Sequence, residues 1–150
     1  MKTVPRLPRI LGLAGLLPQL AAVLAAFLGP DEWHEPARMM GALYAALIFT
    51  FLGGTWWGIA AGAPAAERRG GLTWAWVAAV VPSLIAFGLL GAWMLEMLPL
   101  EPVLVMLGAG LLVALGVDAR FGSLLPRWWM KLRVPLSIIL GAATIALGLA

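Results

Sequence analysis

Five long apolar segments without a single charged residue divide this sequence, and they constrain its fold more than any other feature. They run over residues 10–28, 39–63, 72–95, 103–117 and 134–150. A hydrocarbon core of about 30 Å needs a helix of about 20 apolar residues to cross it. We therefore predict an all-α integral membrane protein, one transmembrane domain over residues 1–150 folded as a bundle of five transmembrane helices. The fourth segment is the shortest, which leaves open whether it crosses completely.

The composition excludes several other classes of protein. Of the 150 residues, 63% are hydrophobic and 11% charged, whereas soluble domains average about 45–50% apolar and about 25% charged residues. The chain has no cysteine and one histidine, which excludes thiol chemistry, cysteine-based metal sites and any site with several histidines. We expect no metal and no cofactor.

The start of the chain allows a second interpretation. Lys2, Arg6 and Arg9 precede the first apolar segment, as in the basic region of a signal peptide. The apolar run is longer than the roughly 7–15 residues of a signal peptide, and Pro18 interrupts it. We predict a retained helix; cleavage would leave four spans in the same orientation.

The distribution of basic residues predicts how the chain is threaded. With the N-terminus in the cytoplasm, the inner connections carry nine Lys and Arg residues: Lys2, Arg6, Arg9, Arg68, Arg69, Arg120, Arg127, Lys131 and Arg133. The outer connections carry only Arg38. Because inner loops are enriched in Lys and Arg, we predict an N-in/C-out protein of the bacterial inner membrane. The basic residues separate apolar runs, so their charge indicates topology and not binding to nucleic acid.

Two features inside the segments are candidates for helix packing. Small residues recur at every fourth position of the second segment, ending in Gly54, Gly58 and Gly62. Such a pattern favours a close helix crossing, either within the chain or with another copy. Pro82 and Ser83 lie in the middle of the third segment, where proline removes a backbone hydrogen bond and kinks a helix. The kink is either a packing feature or part of a cavity or hinge.

The connection before the last segment is the candidate binding site for lipid or a protein partner. It contains Asp118, Arg120, Arg127, Trp128, Trp129 and Arg133. Cations beside tryptophans at the cytoplasmic interface suit anionic headgroups, and Asp118 is expected to pair with Arg120 or Arg133. The alternative is a basic loop that only sets topology, with the tryptophans as interfacial anchors.

No residue pattern indicates catalysis. His34 and Glu35 are adjacent and do not share a helix face, so we interpret them as an exposed loop. No Asp, Glu, Lys, Arg or His lies in any of the five segments, whereas proton relays usually place such residues in the membrane. We predict that the protein is not an enzyme.

Three motif segments resemble a small polytopic membrane family of unknown function that includes the eukaryotic transmembrane protein 69. Residues 51–58, FLGGTWWG, are similar to its F-L-G-G-x-x-W-G signature. Residues 82–84, PSL, resemble its P-S-L in the next helix, and Asp118 followed by 125–133, LPRWWMKLR, resembles its D…L-P-x-W-Y-x-x-L-R segment. Trp129 stands where the pattern has tyrosine. The resemblance implies a five-helix membrane architecture in a bacterial member and assigns no activity.

These observations together define two expected functions. The first is a non-enzymatic scaffold or assembly factor that binds anionic lipid or a membrane protein through the basic, tryptophan-rich cytoplasmic loop. The alternative is a small transporter or channel that works as a homo-oligomer, with the small residues and Pro82 building a pore between copies.

Overall fold

The computed structural model describes residues 3–68 and 70–150, and its longer elements in that part of the chain are six α-helices. They are α1 Arg6–Ala14, α2 Leu17–Leu28, α3 His34–Gly62, α4 Thr73–Met94, α5 Leu100–Phe121 and α6 Trp129–Gly148. The first two together form one span, so five stretches are long and apolar enough to cross a membrane. The predicted all-α fold with five spans is confirmed. Lys2 and Arg69, two of the nine cations that we counted, lie outside the described residues.

Several helices are longer than the apolar segments that predict them. The third helix begins at His34 instead of 39, and α5 covers 22 residues from Leu100 to Phe121. Prolines at positions 36 and 102 fall in the first turns of these helices, where the backbone N–H has no partner in the helix. At 1.5 Å per residue, α5 is about 33 Å long, so the fourth span is long enough to cross completely.

A break divides the first span into α1 and α2. It lies at Gly15 and Leu16, with Pro18 in the first turn of α2. Proline has no N–H to donate to the preceding turn, and a carbonyl in hydrocarbon needs a donor from elsewhere. The hydroxyl of Tyr44 on α3 donates to the Gly15 carbonyl at 2.6 Å. The side chain of a neighbouring helix therefore stabilises the break.

Helices α5 and α6 approach closely because glycines line their contact. A Cβ added to Gly108 would lie 2.7 Å from the Gly141 carbonyl oxygen, and one added to Gly141 would lie 2.7 Å from Leu112. The α3 helix packs against α2, α4, α5 and α6, so it lies at the centre of the bundle. Within the described residues, the buried core is built mostly from alanine and leucine side chains.

The five spans run in alternate directions, which gives the bundle a basic end and an acidic end. The basic end contains the described cations Arg6, Arg9, Arg68, Arg120, Arg127, Lys131 and Arg133. The acidic end contains Asp31, Glu32, Glu35, Glu96 and Glu101, with Arg38 among them. Contacts between helices show which residues share an end. Asp118 contacts Trp56 and Arg133 at the basic end, and Arg38 contacts Glu101 at the acidic end.

Candidate functional site

Three buried polar side chains from three helices meet near the basic end. The indole N–H of Trp56 donates to Oδ1 of Asp118 at 2.9 Å, and Nε of Arg133 donates to Oδ2 at 2.9 Å. The exposed fractions are 2% for Trp56, 0% for Asp118 and 8% for Arg133. We call these residues the Asp118 cluster. Each carboxylate oxygen has one donor, and the ion pair cancels the charge that burial would otherwise penalise.

The positions of the three residues along their helices explain why they meet. Trp56 lies in the last two turns of α3, Asp118 in the last turn of α5, and Arg133 in the second turn of α6. The short connection between α5 and α6 returns the chain beside itself, so the end of one helix faces the start of the next. Both donor groups therefore reach a single carboxylate without leaving the bundle.

The structure decides between the two partners expected for Asp118. Arg133 forms the ion pair, while Arg120 lies over the ring of Trp74, with its guanidinium carbon 4.9 Å from the ring centre. The expectation that Arg133 offers its charge to headgroups therefore needs correction, because this side chain is buried and paired. Arg120 and Arg127 are exposed.

The predicted basic loop is shorter than the sequence indicated. Asp118 and Arg120 belong to α5, and Trp129 and Arg133 belong to α6. The rings of Trp128 and Trp129 are 6.0 Å apart, and the indole N–H of Trp129 is buried without a hydrogen-bond partner. The end of α5 and the start of α6 therefore both extend into the predicted loop, where the Asp118 cluster joins them.

The first two motif segments also contact each other. A Cβ added to Gly53 would lie 2.3 Å from the carbonyl oxygen of Ala79 and 3.4 Å from Pro82. Gly53 therefore allows α3 to pack directly on the α4 backbone beside the proline. Pro82 is buried and α4 continues through it, whereas Ser83 is exposed.

The predicted packing glycines occupy a different face. Gly54, Gly58 and Gly62 are exposed, and a Cβ added at any of them meets nothing within 4 Å. They make no close crossing with the other described helices of this chain, so the contact within the chain that we left open is not formed there. A contact with a second copy stays a prediction.

A second buried cation at the acidic end was not recognised from the sequence. Arg38 is 3% exposed; its Nε donates to the Leu147 carbonyl at 3.0 Å, and its guanidinium pairs with Glu35 and, at 3.2 Å, with Glu101. We call these residues the Arg38 cluster. The available signal was that Arg38 is the single cation in the outer connections, next to several carboxylates.

A third polar contact lies between the two ends. The amide nitrogen of Gln19 on α2 donates to the Thr144 hydroxyl on α6 at 2.7 Å, and that hydroxyl donates to the Leu140 carbonyl at 2.7 Å. Both side chains are fully buried. Their pairing could not be predicted from the sequence, because the two residues are 125 positions apart and follow no spacing rule.

Two cavities lie beside the Asp118 cluster. The apolar cleft has a volume of about 330 Å³ and is lined by Phe49 and Trp56 of α3, Ala78 and Pro82 of α4, and Val113 and Val117 of α5, among others. The second, of about 380 Å³, has a mixed polar and apolar lining that includes Asp118, Ser123 and Arg127. In the described residues, no group of three or more His, Asp or Glu side chains is placed to hold a metal ion.

These features define a class: a multi-pass α-helical membrane protein in which charged residues are paired inside the bundle. A family model described as "Protein of unknown function (DUF3429)" matches residues 4–149. The chain therefore belongs to this family. No match was found among curated proteins or among solved structures.

Proposed function

We propose that this protein is a non-catalytic membrane protein that binds anionic lipid headgroups at its basic end and acts there as a scaffold or assembly factor. The observation that carries the proposal is the pair of exposed cations Arg120 and Arg127. In the part of the chain that the structure describes, neither forms an ion pair, because Asp118 is already occupied by Arg133.

The surroundings of these cations support headgroup binding. Arg120 lies over the ring of Trp74, and Arg127 precedes Trp128 and Trp129. Tryptophan side chains prefer the headgroup level of a bilayer, and each basic residue near an anionic surface contributes about 1 kcal/mol of attraction. Cations held at this level by aromatic rings are suited to phosphate groups.

The proposal includes a location and an orientation. We propose the bacterial inner membrane, with the basic end in the cytoplasm, because the described cations are concentrated at that end and the positive-inside rule applies to short loops. We also propose a tie to the family of the eukaryotic transmembrane protein 69, which is supported by the sequence of the three motif segments.

The test measures which lipids stay with the protein. We would reconstitute wild type and the R120Q/R127Q variant in nanodiscs of phosphatidylglycerol and phosphatidylethanolamine, and count retained lipids by native mass spectrometry. The variant should lose enrichment of phosphatidylglycerol by up to about thirtyfold, since two contributions of about 1 kcal/mol each add to about 2 kcal/mol. R6Q/R9Q is the matched control, because it removes the same charge from the same end of the bundle but from α1, where no tryptophan neighbours the cations in sequence; it should lose clearly less enrichment than R120Q/R127Q. Unchanged enrichment in R120Q/R127Q would overturn the proposal.

The alternative, a homo-oligomeric transporter or channel, is supported by one observation. The exposed face with Gly54, Gly58 and Gly62 has room for another helix. The chain has no cysteine, so a single Gly58→Cys variant can be cross-linked in membranes, with Phe87→Cys on the exposed face of α4 as control. Dimers specific to Gly58→Cys would support this function, and their absence would count against it.

A further inference from the structure

The apolar cleft opens at the side of the bundle between α4 and α5, with α3 at its base. Apolar atoms form nearly all of its lining surface, and Val113 on its rim is 70% exposed. The volume of about 330 Å³ exceeds by about tenfold the space that one water molecule occupies in the liquid. The cleft is therefore large enough for part of a lipid chain.

The cleft occupies one half of the bundle, on the side of the basic end. On α5 its lining runs from Ala109, near the middle of the helix, to Val117, one turn before the helix ends. On α4 it runs from Ala78 to Ile85, again from near the start of the helix to its middle. Eight residues of rise on α5 correspond to about 12 Å. That length is close to half of a hydrocarbon core of about 30 Å.

We expect this cleft neither to hold water nor to stay empty. Apolar cavities stay dry because water finds no hydrogen-bond partners there. An empty cleft would forfeit dispersion contacts along its whole lining. Since the opening faces the surrounding hydrocarbon, an acyl chain of the same leaflet is the available occupant.

The mouth of the cleft at the basic end carries a cation that is suited to the headgroup of such a lipid. Arg120 follows Val117 by one helical turn and reaches from α5 over the Trp74 ring at the start of α4. Trp74 in turn packs against Phe121, with ring centres 4.8 Å apart. A guanidinium held over a ring by its charge keeps N–H groups that can still bind a phosphate oxygen.

We propose that the apolar cleft binds one acyl chain of an anionic phospholipid whose phosphate pairs with Arg120. This inference rests on the proposed function and assigns to it one bound lipid in place of a diffuse layer of headgroups. Dispersion contacts with α3, α4 and α5 hold the chain, because lipid tails gain no hydrophobic free energy by moving from bilayer to protein. The charge of Arg120 selects the headgroup.

The experiment uses photo-cross-linking in nanodiscs. The probe is phosphatidylglycerol with a diazirine near the end of one acyl chain, and phosphatidylcholine with the same chain is the comparison. Cross-linked peptides are mapped by mass spectrometry. Ala78→Phe fills the cleft from its wall, and Val77→Phe, on the neighbouring exposed position outside the lining, is the matched control. Ala109→Phe, at the exposed inner end of the cleft, is a second filling variant that does not depend on the folding of the first.

In wild type we expect cross-links near Ile85 and Ala109, with phosphatidylglycerol favoured over phosphatidylcholine by about fivefold, as one basic residue near the surface predicts. Ala78→Phe and Ala109→Phe should remove most of these cross-links, and Val77→Phe should retain them. Arg120→Gln should remove the preference between the two lipids while leaving the phosphatidylcholine signal unchanged.

Two results would overturn the inference, and they are distinguishable. Unchanged cross-links in both filling variants would exclude an acyl chain in the cleft, and the proposed headgroup binding would stand. Equal labelling by the two lipids in wild type, with no effect of Arg120→Gln, would remove the selective role of Arg120 and count against the proposed function as well.

Discussion

At the scale of single residues, the Asp118 carboxylate determines how three helix ends can meet. It is completely buried, and its two oxygens accept hydrogen bonds from Trp56 on α3 and Arg133 on α6. A buried charge without a partner is strongly unfavourable, whereas a paired one adds little net stability compared with an apolar substitute. The Asp118 cluster therefore specifies which helices pack together more than it adds to the free energy of unfolding.

We predict that breaking the ion pair on one side is more harmful than removing it completely. Asp118→Leu or Arg133→Met alone should destabilise the protein by about 3–5 kcal/mol, because each leaves a buried charge uncompensated. The double variant should recover most of that loss. Thermal unfolding in detergent measures all three. If the effects of the two single changes simply add in the double variant, the pair is not coupled.

Trp56→Phe tests the contact between Trp56 and Asp118, because it removes the indole N–H together with part of the buried ring. Oδ1 of Asp118 loses its donor, so we expect a loss of about 1–3 kcal/mol in the free energy of unfolding. Trp57→Phe is the matched control, because Trp57 is half-exposed and contacts Trp76 by its ring. It should change stability by less than about 0.5 kcal/mol. Equal losses in the two variants would contradict the proposed role of the Trp56 N–H.

The pairing of Asp118 shows where sequence reasoning stops at this scale. Two partners were open because the sequence ended the fourth span at 117 and left Asp118 in a loop. In the structure Asp118 and Arg120 are both in α5, and residues two apart on a helix do not face each other. The choice of Arg133 thus follows from the helix end, which local sequence could not locate.

At the scale of helices, packing separates two adjacent glycines that the sequence pattern could not rank. Gly53 lies on the α4 backbone, whereas Gly54 faces open space. The pattern of small residues at every fourth position selected Gly54, Gly58 and Gly62. The close contact between α3 and α4 instead uses the position one residue earlier, because the direction in which α4 packs is a tertiary property.

Gly53→Ala and Gly54→Ala form a test of that difference. The first places a Cβ 2.3 Å from the Ala79 carbonyl oxygen, which cannot move without moving α4, so we expect a loss of about 1–3 kcal/mol from overpacking. The second should be neutral or stabilise by up to about 1 kcal/mol, because alanine is the better helix former. Thermal unfolding gives both values. A neutral Gly53→Ala variant would contradict the close approach of α3 and α4.

The number and order of the spans were predictable, but their bounds were not. Hydrophobic length alone identifies a segment that crosses a membrane. The ends of the helices extend further into charged sequence, because Arg38 and Asp118 find partners on other helices. The contacts of Arg38 with Glu101 and Leu147, and of Asp118 with Trp56, join residues more than sixty positions apart, so no local pattern indicates them.

At the scale of the whole molecule, charge separates the two ends of the bundle. The described cations are concentrated at the basic end, and five of the seven carboxylates lie at the acidic end. The sequence predicted this asymmetry from the loops. The direction in which the bundle inserts remains a prediction from the positive-inside rule.

Reporter fusions at the two termini test the predicted orientation. A tag at the N-terminus should be active in the cytoplasm and a tag at the C-terminus on the other side, because five spans place the termini on opposite sides of the membrane. Moving basic residues from the inner to the outer connections should weaken this orientation. Activity of both tags in one compartment would contradict the threading.

The two charged clusters join the same three helices at opposite ends of the bundle. The Asp118 cluster and the Arg38 cluster each contain residues of α3, α5 and α6. In the described residues, no side-chain hydrogen bond or ion pair connects α4 to another helix. It is held instead by close packing on α3 at Gly53 and by the contacts of Trp74 with Arg120 and Phe121 of α5. Polar contacts therefore determine how α3, α5 and α6 are aligned, whereas the position of α4 depends on shape and on ring contacts.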